Sequence, residues 1–264
     1  MKWLKLILIC VTFLFGCSAG NNVRDILPRT SFLKVEKSLL VTFCNPKNPT
    51  QCVKKGFGAN GSGVVVANIE TGSYALTAAH VCDDKRARKI TQQGKSYKLD
   101  FKVKDLYNVV YRVEVVSIDS INDLCIIFVP GLKQPAVSLA SGAPIPGDRA
   151  YNLAAPMGIF DTGMVPIFEG FYNGNSNGWS LYSLAVKGGS SGSPIINHRG
   201  ELVGMVSQAF YHFSHICISP QYRPTINFIR AVVEKDKYKR LPTILGKLKS
   251  IFQAKKIKYF HKNP

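Results

Sequence analysis

The decapeptide GGSSGSPIIN, Gly188 to Asn197, places three serines within four residues, between glycines and ahead of an apolar run. The apolar run is typical of a short strand, and glycines permit backbone turns that other residues rarely adopt. The stretch is therefore either a flexible linker or a shaped turn that holds one serine as a nucleophile. A serine hydroxyl needs an adjacent base, usually histidine, and an acid that orients this base. The second interpretation therefore requires a histidine and a carboxylate elsewhere in the chain.

The chain offers five histidines as the base, and His80 stands apart from the others. It ends the segment SYALTAAH, in which an apolar strand-like run passes into small residues, so that a rigid strand can deliver the imidazole to a cleft. His198 lies in a polar turn, His212 and His215 lie in FYHFSH, and His261 lies near the end of the chain. His80 is the best candidate, although its position alone is weak evidence.

The candidate acid is Asp123, which directly precedes the nearly continuous apolar run LCIIFVP. A carboxylate at the mouth of a buried strand is costly unless it is paired. The alternative interpretation of Asp123 is a turn residue that leads into the strand, and on its own that interpretation is preferable.

Short strand-like runs with turn signals between them recur along most of the chain, which is typical of an all-β protein. The runs fall into two consecutive units that are split near Pro130 and Gly131, and NGNSNG (Asn173 to Gly178) predicts a hairpin. No helix of ordinary length is indicated before RPTINFIRAVVEK, which begins at Arg223 and has apolar residues at helical spacing. The predicted runs are SLLVTFC, SGVVVAN, YALTAA, SYKLDFKVK, YRVEVVSI, LCIIFVP, AVSLA, RAYNLAA, VPIFEGFY, WSLYSLAV, SPIIN, LVGMVSQAF and HICIS.

Taken together, LTAAH, DLCIIFV and GGSSGSP, in this order and at these spacings, resemble the trypsin/chymotrypsin-like serine protease family. The resemblance extends over residues 40–233 and is reinforced by PGDRAYNLAAP and LVGMVSQA. It implies an all-β fold of two six-stranded antiparallel β-barrels with a C-terminal helix. Residues 31–130 would form the first barrel with His80 and Asp123, and residues 131–235 the second barrel with Ser191 and the closing helix.

The resemblance also assigns roles at the site. His80, Asp123 and Ser191 would be the catalytic triad of an endopeptidase that works through an acyl-enzyme on protein or peptide substrates. The N–H groups of Gly189 and Ser191 would form the oxyanion hole, and Ser207 would orient Asp123. Because this chemistry needs no metal or other cofactor, none is expected.

Departures from the family pattern bear on activation and specificity. Ser190 stands where trypsin-type zymogens have an aspartate, so no activation by insertion of a new N-terminus is expected. Ala185, Val186, Val206 and Ala209 correspond to the region of the primary specificity pocket, and Ser207 is a further candidate substrate-binding residue. Ala185 at its base argues against a preference for Lys or Arg, and Val206 replaces the histidine of glutamyl endopeptidases. A small or medium apolar side chain before the scissile bond is therefore expected.

The N-terminal segment MKWLKLILICVTFLFGCSAG has two lysines ahead of a short apolar run, which is typical of an export signal over residues 1–19. Its segment LFGC resembles a bacterial lipobox and would make Cys17 a lipidated N-terminus. Cleavage after Ala19 fits as well, and a buried first helix is the remaining interpretation. The protein is thus expected to be exported, and either lipid-anchored in the cell envelope or secreted.

Five cysteines remain after the signal: Cys44, Cys52, Cys82, Cys125 and Cys217. Cys44 and Cys52 flank a turn-rich segment, so a disulfide across one loop is possible in an oxidising compartment. Because five is an odd number, at least one thiol stays free or pairs between chains. The other pairings are left open.

Half of the net charge of +18 lies in the last thirty residues, where ten Lys or Arg face one acid. Residues 236–264 form a basic tail, and its segment 241–264 has apolar residues on one helical face and lysines mostly elsewhere, as in a basic amphipathic helix. Three interpretations are open: a helix packed on the protein body, a helix bound to an anionic membrane, and a nucleic-acid-binding segment. The last has the least support, because no nucleic-acid recognition motif is present.

Two functions outside catalysis also fit the sequence. One is a catalytically silent protease-fold binding module attached to anionic membrane through its basic tail. The other is a membrane-surface adaptor driven by the tail alone. Labelling by a fluorophosphonate, which requires an activated serine, separates the enzyme from both.

Overall fold

The computed structural model describes residues 23–45, 47–83, 96–210 and 213–240. Fourteen strands within these ranges form two seven-stranded antiparallel sheets, each curled into a half-barrel. The first sheet contains β1 Phe32–Asn45, β2 Asn48–Ile69, β3 Gly72–Ala78, β4 Ser96–Lys104, β5 Val110–Arg112, β6 Glu114–Asp119 and β7 Leu124–Pro130. The second sheet contains β8 Arg149–Leu153, β9 Ile167–Ser176, β10 Trp179–Tyr182, β11 Pro194–Asn197, β12 Leu202–Met205, β13 Gln208–Phe210 and β14 Phe213–Pro220.

The predicted all-β architecture of two units and a closing helix is confirmed, but each sheet has seven strands instead of six. The predicted run at residues 111–118 is interrupted at Val113 and becomes β5 and β6. The run at residues 202–210 is divided into β12 and β13. The run at residues 136–140 forms no strand, and Leu139 makes only an isolated parallel bridge to Leu202. Val137 and Ala140 of this run are buried as irregular chain, whereas Ala136 is exposed.

The hairpin predicted at residues 173–178 is formed by β9 and β10, with its turn at Asn177 and Gly178. Both residues have positive φ, 50° and 82°, which is the combination that a type I′ hairpin turn requires. The strand β9 therefore continues through Asn173 to Ser176, further than the turn signal alone suggested.

Strands β1 and β2 form the longest hairpin of the first sheet, paired from Phe32 and Val64 to Asn45 and Asn48. The predicted Cys44–Cys52 disulfide is confirmed and joins the two strands near the turn. The sequence predicts a turn-rich loop in this region, because Asn, Pro and Gly are poor strand formers. The register with β1 and the disulfide impose the extended conformation instead. Residues 48–60 of this hairpin are called the β2 extension below.

Helices contribute little to the fold except at its C-terminal end. Two four-residue helices, α1 Val23–Ile26 and α2 Ala79–Cys82, precede the helix α3 at residues 222–240. The apolar side of α3 packs through Ile229 and Val233 into a core cluster that contains residues of both sheets. None of the helices within the described ranges is long and apolar enough to cross a membrane.

The end of α3 is fastened to the first sheet by polar contacts. The Tyr74 hydroxyl donates a hydrogen bond to Asp236 at 3.0 Å, and Arg240 forms an ion pair with Glu114 at 2.9 Å. The Arg240 guanidinium lies 3.8 Å from the ring centroid of Phe128, within cation–π distance. A helix that follows the second sheet in sequence thus closes onto the first sheet.

Candidate active site

The first sheet places His80 beside Asp123. His80 lies in α2, directly after the fully buried strand β3, and Asp123 directly precedes the buried strand β7. These two strands pair from Gly72 and Pro130 to Ala78 and Leu124, so their ends bring the two side chains together. The His80 Nδ1 atom lies 3.0 and 2.9 Å from the two carboxylate oxygens, and the His80 backbone N–H donates to Oδ1 at 3.0 Å.

The Asp123 carboxylate is only 16% exposed, whereas the His80 side chain is 52% exposed and reaches solvent. Ser207 donates a hydrogen bond to Asp123 Oδ2, as the family resemblance implied. Burial alone would raise the pKa of Asp123, but hydrogen bonds from His80 and Ser207 and the charge of a protonated His80 hold this pKa below its usual value. The carboxylate is therefore ionised at neutral pH and can stabilise a proton on His80.

A second disulfide, Cys82–Cys125, joins the same two segments. Cys82 lies two residues after His80, and Cys125 lies two residues after Asp123. The bridge therefore crosslinks the segment that carries the imidazole to the strand that carries the acid. Cys217 remains as a free thiol within the described ranges, and its burial in the second sheet raises its pKa, so the thiolate form is disfavoured.

The second sheet carries Ser191 on the turn between β10 and β11. Gly189 and Gly192 have φ values of +98° and +88°, a region that is costly for residues with a Cβ atom. A Cβ atom on Gly189 would also collide with the Ala155 carbonyl, and one on Gly192 with the Ser62 carbonyl. The two glycines are thus required by conformation and by close packing, which excludes a flexible linker.

The turn leaves two N–H groups unused. Ser190 and Gly192 donate backbone hydrogen bonds to Lys187 and Val206, whereas neither the Gly189 N–H nor the Ser191 N–H donates to any residue within the described ranges. Two such donors on one turn are what an oxyanion hole needs. The Ser191 hydroxyl donates to the Ser207 carbonyl at 3.3 Å, and no hydrogen bond joins it to His80 among the described contacts.

Ser62 of β2 holds this turn from behind. Its hydroxyl donates to the Gly189 carbonyl at 2.8 Å and accepts from the Ala155 N–H at 3.1 Å, and its own N–H donates to the Ser191 carbonyl at 2.8 Å. Ser62 is fully buried. The carbonyl of Gly188 accepts from the Met157 N–H at 2.6 Å. The carbonyl groups on both sides of Gly189 are therefore fixed, and with them the direction of its N–H.

A cleft of about 500 Å³ brings the candidate residues together. His80, Asp123 and Ser191 all line it, together with the predicted Val206, Ser207 and Ala209. Ala185 is not among the lining residues, and its neighbour Val186 takes that place. The remaining lining residues are Ser120, Ile121, Trp179, Lys187, Gly188 and Gln208.

Sequence reasoning missed Trp179, Ile121 and Ser62. Trp179 appeared only as the start of a strand, and Ile121 has an exposed side chain in the turn before Asp123. Ser62 was the first residue of a predicted strand, where a polar residue is unremarkable. Its burial depends on the second sheet, so the single available signal was its position between two glycines, Gly61 and Gly63.

Some predicted features lie outside the described residues. These are the export signal with Cys17, the histidines His212 and His261, and the amphipathic segment 241–264. Within the described ranges, no cluster of three His, Cys, Asp or Glu side chains is arranged to hold a metal ion.

Comparisons with known proteins identify the family of this chain. A family model described as a trypsin-like peptidase domain matches residues 61–205, which contain His80, Asp123 and Ser191. The chain is also 24% identical over 154 residues to HhoB of Synechocystis sp., whose name assigns it as a serine protease. That match covers 55% of this chain and 33% of the relative, so it spans a third of the relative's length.

Two solved structures share the fold. One is a serine endoprotease from Yersinia pestis, which matches with a TM-score of 0.59. The other is the HtrA-type protease AlgW in complex with a decapeptide, which matches with a TM-score of 0.61. Each is 16% identical to this chain, and each match covers 81% of this chain and 67% of the other. At this identity the likeness concerns the fold alone.

Proposed function

Because this chain belongs to the trypsin-like peptidase family, we propose that it is an exported serine endopeptidase with Ser191 as its nucleophile. His80 is the general base, Asp123 orients it, and the N–H groups of Gly189 and Ser191 stabilise the oxyanion. The observation that carries the proposal is the cleft that His80, Asp123 and Ser191 all line. The turn that carries Ser191 adds two N–H donors that have no acceptor among the described residues.

The proposed reaction proceeds through an acyl-enzyme. The Asp123 carboxylate occupies His80 Nδ1, so Nε2 is the ring atom available to take the Ser191 proton. The Ser191 oxygen then bonds to the carbonyl carbon of the substrate, and the amine leaves with the proton returned from His80. A water molecule, deprotonated by the same imidazole, hydrolyses the ester and releases the acid.

The resting hydrogen bond from Ser191 to the Ser207 carbonyl adds one step to this scheme. The hydroxyl must turn from Ser207 towards His80 before the proton is transferred. Hydrogen bonds at catalytic sites are commonly long or misaligned without substrate and tighten when it binds. Substrate binding in the cleft is the event that drives this rotation.

The decisive experiment is labelling of the purified, oxidised protein with a fluorophosphonate. We expect the wild-type protein and Ser190→Ala to be labelled and Ser191→Ala to remain unlabelled. Ser190 is the matched control, because it is a neighbouring serine that is buried and bonded within the turn. Absence of labelling in a folded wild-type protein would contradict the proposal and favour a protease-fold binding module.

The cleft favours a small or medium apolar side chain before the scissile bond. Val186, Val206 and Ala209 supply apolar walls, and Trp179 adds an aromatic one. Cleavage of a peptide library, followed by identification of the new C-termini, measures this preference. Enrichment of Ala or Val at those termini supports it, and enrichment of Arg or Lys would contradict it.

Export is supported by the two disulfides, since disulfides persist mainly in oxidising compartments. Lipidation at Cys17 is part of the same proposal. Radiolabelled palmitate should be incorporated into the wild-type protein and not into Cys17→Ser, with Cys10→Ser as the control within the signal. Equal incorporation into Cys17→Ser would exclude Cys17, and no incorporation into the wild-type protein would indicate simple secretion.

A further inference from the structure

The β2 extension, residues 48–60, forms an open sheet edge. It pairs with β1 on one side, whereas the pairing of β2 with β3 begins only at Val64. Among the described residues no strand pairs with the other side of residues 48–60. All ten positions from Gln51 to Asn60 are exposed. An edge of this kind presents unpaired N–H and C=O groups to which another strand can bind.

The register identifies which groups face outward. In an antiparallel pair, residues that bond to the neighbouring strand alternate with residues whose N–H and C=O point away from it. Ser62 points away from β1, because its N–H donates to the Ser191 carbonyl and its C=O accepts from the Thr77 hydroxyl. The register is regular from Cys52 to Ser62, so Lys54, Gly56, Gly58 and Asn60 share this orientation. At about 3.4 Å per residue they span ~20 Å of open edge.

Two of the outward-facing residues are glycines that the fold itself does not need. Gly56 and Gly58 lack positive φ, and a Cβ atom at either position would meet nothing within 4 Å. Glycine weakens a strand, and within a strand it often marks the close approach of a ligand or another backbone. The open space beside these glycines is available to an added strand.

The charge of the extension selects the kind of segment. Residues 45–60 contain Lys47, Lys54 and Lys55 and no acid. Phe57 and Val53, exposed at 51% and 60%, lie on the same face as Lys55 because alternate residues of a strand share a face. An extended segment with acidic and apolar residues complements this edge in charge and in apolarity.

The extension is continuous with the candidate active site. Ser62, two residues after the end of the extension, donates its N–H to the Ser191 carbonyl. The Ser191 hydroxyl donates to the Ser207 carbonyl, on the side of the cleft. The apolar walls of the cleft come from the second sheet, where the residue before the scissile bond would lie. A substrate that passes Ser191 towards β2 therefore presents its leaving-group side to the extension.

We propose that the β2 extension binds the substrate segment on the carboxyl side of the scissile bond as an added antiparallel or parallel strand, with preference for acidic and apolar residues. This inference rests on the proposed function, since it extends the substrate site of that enzyme. Main-chain hydrogen bonds to Lys54, Gly56, Gly58 and Asn60 would hold the segment, as in other cases of strand addition. Lys54 and Lys55 would select its charge.

The first test compares three substrates that share the same residues before the scissile bond. One is a chromogenic reporter that ends at the bond, and the other two continue for eight residues, either acidic and apolar or built from Gly and Ser. At low salt, we expect the wild-type protein to cleave the substrate with the acidic extension with a kcat/KM about tenfold higher than that of the Gly and Ser extension. We expect K54E/K55E to abolish this advantage. The matched control K133E/K235E reverses the charge of two other exposed lysines and should retain the advantage. Cleavage of the reporter should be equal in all three proteins.

The second test uses backbone chemistry. In an added strand only alternate N–H groups of the segment face β2, so N-methylation of the acidic extension should weaken binding at one set of alternate positions and not at the other. Fluorescence anisotropy with Ser191→Ala measures this binding in the absence of cleavage. Equal effects at all positions would exclude strand addition.

The outcomes separate the two proposals. If the reporter is cleaved but the acidic extension gives no advantage, the substrate site at β2 is overturned and the enzyme stands. The same holds if K133E/K235E removes the advantage as K54E/K55E does. If the wild-type protein neither cleaves the reporter nor reacts with a fluorophosphonate, the proposed function fails. The anisotropy measurement then still decides whether the extension binds an acidic strand.

Discussion

The two sheets support the same cleft in different ways. The first sheet holds His80 and Asp123 at the ends of two paired, buried strands and crosslinks them through Cys82 and Cys125. The second sheet presents Ser191 on a turn shaped by two glycines with positive φ and by hydrogen bonds to the turn's backbone. The proposed base and acid are thus fixed by regular structure and a covalent bond, and the proposed nucleophile is fixed by local backbone geometry.

This difference shows where the site is vulnerable. Strand pairs distribute the loss of one contact over many neighbouring hydrogen bonds, whereas a turn of a few residues depends on each contact. Substitutions in the turn should therefore affect catalysis most, and substitutions in the first sheet should affect stability first.

The largest effect is expected for Gly192→Ala. The substitution forces an L-residue into φ near +88° and drives its Cβ atom into the Ser62 carbonyl, so the Ser191 N–H is displaced. We expect kcat/KM to fall by about 10²–10³, the typical loss of one oxyanion donor. Reporter hydrolysis measures it, with Gly142→Ala as the control, because Gly142 has open space and no positive φ. A wild-type kcat/KM in Gly192→Ala would contradict the role of this turn in positioning the Ser191 N–H.

The next effect is expected for Ser62→Ala, which removes two hydrogen bonds that hold the turn. At about 1 kcal/mol for each bond, kcat should fall by roughly tenfold to fiftyfold with little change in KM. Ser73→Ala is the matched control, since Ser73 is also fully buried and donates one hydrogen bond, to the Leu132 carbonyl. It should lower the free energy of unfolding without changing kcat. Equal kcat values in the two variants would show that Ser62 acts only through stability.

A smaller effect on catalysis is expected from the disulfide in the first sheet. Loop-closure entropy predicts that Cys82→Ala/Cys125→Ala, which opens a loop of 43 residues, lowers the free energy of unfolding by about 4 kcal/mol. For Cys44→Ala/Cys52→Ala, with a separation of 8 residues, the predicted loss is about 2.5 kcal/mol. Only the first pair lies beside His80 and Asp123, so it alone should lower reporter kcat, by several-fold. Denaturant titration and kinetics on both variants measure this. A loss of activity with the second pair would point to a wider role of the hairpin.

The smallest effect concerns pH. The folded-state pKa of Asp123 is depressed, so this group contributes stability above its unfolded pKa, and the contribution is lost as the pH falls through the folded value. Ser207→Ala removes one of the hydrogen bonds that lower this pKa. Because the folded-state pKa then lies closer to the unfolded one, the stability lost on acidification should be smaller, and the loss should be complete at a higher pH. Unfolding free energies between about pH 2 and pH 7 test it, with Ser207→Thr, which keeps the hydroxyl, as the control.

The sequence predicted those features that depend on local pattern. Apolar runs such as LCIIFVP correctly marked buried strands, and the glycines around Ser191 indicated a shaped turn. The β2 extension was misjudged because its Asn, Pro and Gly residues oppose strand formation locally, and pairing with β1 overrides them. The split at Val113 and the Cys82–Cys125 bridge depend on contacts between segments that are distant in sequence.

Contacts between segments that are distant in sequence also explain why some residues of the cleft differ from those predicted. The strand β10 ends at Tyr182, so regular alternation does not decide whether Ala185 or Val186 faces the cleft. Ser62 gains its role only when the second sheet packs against β2. Residues that act across the junction of the two sheets are the ones that a linear pattern identifies least well.

The docking of α3 onto the first sheet has a consequence for the order of folding. Tyr74 and its partner Asp236 are 162 residues apart, and Glu114 and Arg240 are 126 residues apart. During synthesis at about 5–20 residues per second, Tyr74 would therefore precede its partner by roughly 8–32 s. Until α3 arrives, the first sheet is left without the helix that covers Phe128 and Tyr74. The first sheet therefore reaches its final packing only after the whole of α3 has been synthesised.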